Sequence, residues 1–191
     1  SIVIPDSVTS IGNYAFIYCS KLKGELVIAD SVTSIGDSAF SDCTGLTGDL
    51  VIPDSVTSIG EWAFSECKGL TSLEIGSGVT SIGDSAFYQC KGLTGDLVIP
   101  DSVTSIGDNA FYRCERLTSV VIPDSVTSIG NYAFYICSGL TSLEIGSGVT
   151  SIGERAFEYC SGLESIVVLS GNTIYDSREN CNCIIETSTN T

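Results

Sequence analysis

Apolar residues recur along the chain in a fixed order: a short alternating stretch, a polar break, two spaced apolar positions, a glycine, and then a compact apolar cluster. In the copy Leu117-Thr-Ser-Val120-Val-Ile122-Pro123-Asp-Ser-Val126-Thr-Ser-Ile129-Gly130-Asn-Tyr-Ala133-Phe134-Tyr-Ile-Cys137-Ser-Gly-Leu140, the stretch from Thr118 to Ile122 alternates and is rich in β-branched residues. Period-two alternation predicts a strand with Val120 and Ile122 inward and Ser119 and Val121 outward. Pro123 removes a donor and ends the ladder, Asp124 and Ser125 supply turn chemistry, and Val126 and Ile129 predict a second short extended segment. Gly130 permits the next bend. Ala133, Phe134, Cys137 and Leu140 follow i, i+1, i+4, i+7, which predicts one face of a short helical segment. Asn131 is placed as its N-cap or first-turn residue, and Lys21, Lys68, Lys91 and Arg116 sit near the far ends of the corresponding segments, where they complement a helix dipole.

The cluster repeats with Phe at positions 16, 40, 64, 87, 111, 134 and 157 and Cys three residues after each, a period of 23 or 24 residues that includes all seven phenylalanines of the chain. A unit of that length cannot bury its own apolar side, so copies stack and share a core. The expected fold is an α/β repeat solenoid: an arc with a continuous parallel sheet of first strands on one face, a second row of short strands, and short helical segments. At about 4.8 Å per strand, roughly eight turns make a rod or shallow arc on the order of 40 Å long. Residues 1–169 are assigned to the repeats, and residues 170–191 to a divergent repeat or C-terminal cap. The chain opens inside a repeat at Ser1-Ile2-Val3-Ile4-Pro5 and has no Met, so it is read as a processed form or an excerpt of a longer protein.

Charge narrows the partners. Eight Lys and Arg against 23 Asp and Glu give a net charge of −15, which repels phosphate backbones and anionic bilayers and points away from nucleic acid and membrane lipid. Apolar runs such as Ile166 to Leu169 fall far short of the roughly 20 residues a spanning helix needs, so no membrane insertion is expected of this segment. The chain is expected to be monomeric.

Candidate chemistry is sparse. There is no His, which removes Ser–His and Cys–His nucleophilic pairs and the usual general base, and acids that recur at repeat spacing read as one solvated row; no catalytic residues are assigned. Seven of the nine cysteines lie one repeat apart and are expected as a buried, reduced column behaving as small apolar residues. Cys181-Asn182-Cys183 breaks the register; a lone C-x-C without a second pair is a poor zinc site, and a cap disulfide suits it better. Asp-Ser pairs such as Asp54-Ser55 and Asp101-Ser102 are ordinary turn chemistry, with no calcium-binding nonapeptide around them. No metal and no cofactor is expected, and no Asn-x-Ser/Thr acceptor occurs.

The run Ile122-Pro123-Asp124-Ser125-Val126-Thr127-Ser128-Ile129-Gly130-Asn131-Tyr132-Ala133-Phe134 resembles the BspA-type subclass of leucine-rich repeat, over about residues 1 to 169. The tail from Asn172 to Thr187 also resembles a divergent repeat of such proteins. The resemblance implies a surface-exposed or secreted protein whose repeats engage host matrix proteins or other cells, and it brings no catalytic or cofactor residues to carry over.

Since the inward columns barely vary from copy to copy, specificity must reside in outward positions that do. The first strands present Val3, Val27, Val51, Glu74, Val98, Val121, Glu144 and Val167, beside a second row of Glu25, Asp49, Ser72, Asp96, Ser119, Ser142 and Ser165. A valine strip edged with acids is a candidate protein-binding face, with Glu25, Val27, Asp49, Val51, Glu74, Asp96, Val98, Val121 and Glu144 as its residues. Strand propensity alone also accounts for the valines. A weaker candidate is the aromatic patch of Tyr88, Tyr112 and Tyr135, with Trp62, Tyr14 and Tyr132 nearby in the repeat; inter-repeat packing is the favoured account of these residues. The functions in contention are an extracellular adhesin segment, an intracellular acidic inhibitor or adaptor capturing a basic protein, and a structural surface spacer.

Overall fold

The alternating stretches become a first row of strands: β1 (Ile2–Ile4), β3 (Leu26–Ile28), β5 (Gly48–Ile52), β7 (Leu70–Ile75), β9 (Gly95–Val98), β11 (Leu117–Ile122), β13 (Ser142–Ile145) and β15 (Ser165–Val168). The Ser-Ile pairs form a second row, β2 (Ser10–Ile11), β4 (Ser34–Ile35), β6 (Ser58–Ile59), β8 (Ser81–Ile82), β10 (Ser105–Ile106), β12 (Ser128–Ile129) and β14 (Ser151–Ile152). In this computed structural model, which describes residues 1–177 and 184–187, the chain winds as a parallel β-solenoid. The expected inward residues are buried: Val120, Ile122, Val126 and Ile129 lie in the core with their counterparts from the other turns.

Continuity is the reverse of the expectation. The second row is one seven-stranded parallel sheet, whereas the first row is divided into β1–β3, β5–β7 and β9–β11–β13–β15. Both breaks precede strands that open on a glycine with positive φ, Gly48 at 84° and Gly95 at 80°. Each glycine is the additional residue that makes its turn 24 rather than 23 long, and a left-handed backbone there costs least without a Cβ. Pairing of β5 with β7 shifts register between Gly48 and Asp49, as at a β-bulge.

The helical segment is not present: among the described residues the chain forms no helix. Ala133, Phe134, Cys137 and Leu140 are buried as their spacing required, but the backbone that buries them is a run of tight turns. Tyr132 and Ile136 adopt φ of 56° and 57°, and every complete copy repeats this two residues before and two after its Phe. The left-handed residues turn alternate amides toward the neighbouring coil. Tyr132, Phe134 and Ile136 donate to the carbonyls of Glu154, Ala156 and Glu158 at 2.8–2.9 Å, while Ala133, Tyr135 and Cys137 close local bonds to Gly130, Tyr132 and Phe134. Two consecutive four-residue turns place apolar groups at the same intervals as a helix, so the spacing could not separate them. The proposed cap and dipole roles fall with the helix. Asn131 joins a ladder instead: its amide donates to Asp108 Oδ1 at 2.6 Å, and its own Oδ1 accepts from the Glu154 amide at 2.7 Å. Lys68 and Lys91 pair with Glu66 and Glu115.

Inside, the phenylalanines stack nearly parallel with centroids 5.0–5.6 Å apart along the whole column. Five of them, from Phe40 to Phe134, are fully buried, and each such side chain contributes about 1.5–3 kcal/mol of hydrophobic stabilisation. The cysteine column runs beside it with free thiols, each from Cys43 to Cys160 donating to the phenylalanine carbonyl of the preceding turn at 3.0–3.3 Å. Gly130 has no positive φ; it is needed because a Cβ there would come within 2.5 Å of the Asp108 amide in the turn below. Close stacking, rather than a bend, sets that glycine.

After β15 the winding stops being regular. The Asn172 side chain donates to the Gly146 and Val149 carbonyls, Tyr175 Oη accepts from the Ile152 amide at 3.1 Å, and Ser177 Oγ accepts from the Val168 amide at 2.9 Å. Side chains thereby take up edge groups that another turn's backbone would otherwise pair. The antiparallel strands β16 (Tyr175–Asp176) and β17 (Ile185–Glu186) follow. Cys181 and Cys183, singled out above, lie outside the described residues.

Candidate protein-binding faces

Strand register fixes where the valine and acid rows fall. Val3 pairs with Val27, Val51 with Glu74, and Val98, Val121, Glu144 and Val167 follow one another across β9 to β15, so the row is continuous in space even where the sheet is divided. Val98 is 61% and Val51 48% exposed, well beyond what a valine in a packed sheet shows; Val27 is also exposed, and Val121 and Glu144 are half-buried. Between these residues lie shallow depressions. One, of about 350 Å³, is lined by Glu25, Val27, Asp49 and Val51; another, of about 360 Å³, by Glu74, Asp96, Val98 and Pro100.

The acids divide into two kinds. Asp49 and Asp96 follow the inserted glycines, and each Oδ1 accepts from hydroxyls of the next turn: Ser72 at 2.6 Å and Thr71 at 3.2 Å for Asp49, Ser119 at 2.6 Å and Thr118 at 3.2 Å for Asp96. They pin the register where the bulge disturbs it, a structural duty that sequence reasoning did not anticipate. Glu25 and Glu74 are exposed on the same face.

On the turn face the structure merges what the sequence presented as separate positions. Tyr88, Tyr112 and Tyr135 stack with centroids 4.8 and 5.2 Å apart; Trp62 tilts onto Tyr88 at 5.3 Å, and Tyr132 and Tyr159 meet Tyr135 edge-on at 5.4 and 5.3 Å. The three stacked tyrosines are half-buried against one another, as inter-repeat packing requires, while Trp62 and Tyr159 remain exposed. Tyr159 and Tyr18 were missed as members of this face. Both occupy the left-handed position two residues after Phe, and that shared register was the available signal.

Burial pushes the Cys43 thiol up to about 11 and the Cys90 thiol up to about 12, far from the thiolate a nucleophile or metal ligand requires. Among the described residues no group of three or more His, Cys, Asp or Glu could hold a metal ion. No helix of the described residues is long and apolar enough to cross a membrane.

A coil of short parallel strands with one buried aromatic column and one thiol column per stack defines a leucine-rich-repeat solenoid. The chain belongs to the family described as BspA type leucine rich repeat region, which matches in 6 copies over residues 1–95 and 94–190. A leucine rich cell surface protein from Faecalibacterium prausnitzii A2-165 is similar at 34% identity over 97% of this chain, with a TM-score of 0.79. The T. pallidum leucine rich repeat protein TpLRR is similar at 30% identity over 84% of the chain, with a TM-score of 0.75. The pneumococcal vaccine antigen PcpA, at 23% identity over 86% of the chain and a TM-score of 0.68, shares the fold. The chain spans 50% of the Faecalibacterium protein, 76% of TpLRR and 44% of PcpA. Comparison with curated proteins finds no match.

Proposed function

We propose that this chain is a non-catalytic protein-binding segment of a cell-surface or secreted protein, and that its first-strand face engages a matrix protein or the surface protein of a neighbouring cell. The observation that carries the reading is the outward row of exposed Val27, Val51 and Val98 and half-buried Val121, held in register beside Glu25, Asp49, Glu74, Asp96 and Glu144. Rigid strands keep this row spread over successive turns, so a partner meets many small apolar contacts without the entropy cost of ordering long side chains. The surface assignment rests on similarity to the Faecalibacterium protein, which is described as a cell surface protein. The acids on the same face favour a partner with basic residues around its apolar contact, and they steer its approach at low salt.

The reading is tested by capture from extracellular-matrix and serum proteins at low and physiological salt, comparing the chain with a Val51→Lys, Val98→Lys, Val121→Lys variant. Retention of a defined partner by the parent and its loss from the folded variant is the expected result. Equal retention by both removes this face from the account. The intracellular-inhibitor reading draws on the same net charge of −15, and its mark is affinity that collapses with salt even after the valines are replaced.

A further inference from the structure

On the turn face, the position directly after Phe carries Tyr88, Tyr112 and Tyr135 in three successive turns, where they form the stacked row. In the two turns before Tyr88 the same position holds Ser41 and Ser65, both buried. The aromatic row therefore stops, and the missing rings leave a trough of about 410 Å³ floored by these serines and Ser38. Its walls are aromatic: Tyr18, 71% exposed, and Trp62, 42% exposed, with Tyr88 closing the far end. Trp62 meets Tyr88 at an interplanar angle of 52°, so its ring is not consumed by parallel stacking.

The rim is acidic. Asp42 and Glu66 line the trough; the Asp42 amide donates to the Ser65 carbonyl at 2.8 Å, while among the described residues its carboxylate has no hydrogen-bond or ion-pair partner. Glu66 is fixed by Gln89 Nε2 at 2.6 Å and by the Lys68 ammonium at 2.6 Å. Lys68 is held above its ordinary value, first by the hydrogen bond to Glu66 and then by the charges of Glu66 and Asp42, so the rim already attracts one of the few cations this chain possesses. Aromatic faces attract cations through their quadrupole, and a guanidinium combines that stacking with a planar fork that matches a carboxylate.

We propose that this trough is a second binding site, distinct from the first-strand face, which receives an arginine side chain of a basic peptide segment with the guanidinium between the Trp62 and Tyr18 rings and its fork on Asp42. Serines at the positions that hold tyrosine in the later turns give it depth, and the surplus of acid over the molecule favours the cation over a neutral ligand. The Lys68 ammonium acts as a resident competitor at the rim.

The chain's single tryptophan lies in the wall, so its fluorescence reports the trough directly. The probes are acetyl-Gly-Arg-Gly-amide, the same peptide with neutral citrulline in place of arginine, and glucose, titrated at constant ionic strength. A saturable change in Trp62 emission with the arginine peptide is expected, with a response roughly tenfold weaker for citrulline, since the charge-assisted bond is lost. Asp42→Asn should weaken the arginine response similarly, and Lys68→Gln should strengthen it. Ser65→Tyr, which extends the aromatic row with the residue found at that position three turns running, should fill the trough and abolish the response while the thermal unfolding midpoint is retained. No saturable change with arginine, an equal response to citrulline, or saturation by glucose instead would overturn the proposal.

Discussion

Ile136 carries the least favourable backbone among the described residues: a β-branched residue at φ of 57°. It tolerates that conformation because its amide reaches the Glu158 carbonyl at 2.9 Å, a bond that only the left-handed turn directs to the next coil. Asn enters that region at lower cost, so Ile136→Asn is expected to raise stability by about 1 kcal/mol in denaturant unfolding, net of the small apolar area it gives up. Gly48→Ala runs the other way, because it places a Cβ at φ of 84° and within 3.0 Å of Glu25 Cγ; a loss of about 1 kcal/mol or more is expected by the same measurement. At the core, Phe87→Ala removes a ring stacked on both sides and is expected to cost about 3–5 kcal/mol. The neighbouring thiols are buried and pushed well above their ordinary values, so alkylation of the native chain followed by peptide mapping should leave Cys67, Cys90 and Cys114 unmodified at neutral pH.

Among the elements, both rows of strands were legible because alternation and the Pro-Asp-Ser break act locally: Val120 and Ile122 point inward for the reason their spacing gave. The segment around Ala133 and Phe134 was legible as core and illegible as backbone. Its conformation depends on bonds to residues 22 or 23 positions away, as in Tyr132 to Glu154 and Phe134 to Ala156, which no local pattern reports. Two of the three longer turns, those that insert Gly48 and Gly95 at positive φ, coincide with the divisions of the first sheet, while the turn with Gly24 keeps β1 paired with β3, so the alternation between 23 and 24 residues did not by itself disclose them. The turn after the first strand adds a pH dependence. Asp54 Oδ1 accepts from the Ser77 amide and hydroxyl, Asp124 Oδ1 accepts likewise from Ser147, and these bonds hold both carboxyls below the ordinary value of 3.8. A depressed folded value means the contribution is present above the unfolded value and is lost as pH falls through the folded one. Replacing both aspartates with alanine should therefore lower the unfolding midpoint at pH 7, and the difference from the parent should shrink as the pH is taken below 3.8.

For the whole molecule, stacking turns sevenfold sequence monotony into surfaces that differ along their length. The candidate valine and acid rows were legible as rows, since strand register preserves repeat register, and Val51, Val98 and Val121 emerge where their spacing put them. What was not legible is that Asp49 and Asp96 spend one carboxylate oxygen on the next turn's hydroxyls, or that aromatic residues from different repeat positions converge on one stripe around Tyr135. Both facts depend on side chains from adjacent coils meeting across the stack. The central claim, that the first-strand face is the one a protein partner covers, is tested most directly by the affinity of a captured partner for two variants of equal added charge. One carries Val51→Lys, Val98→Lys and Val121→Lys; the other carries Thr33→Lys, Thr80→Lys and Thr127→Lys on the exposed second-row face. Roughly tenfold weaker binding is expected for the first and near-parental binding for the second, since truncating or charging a contact at the centre of an interface costs more than about 1 kcal/mol and a remote change does not. Equal loss from both variants would contradict it, because the binding would then depend on net charge and not on this face.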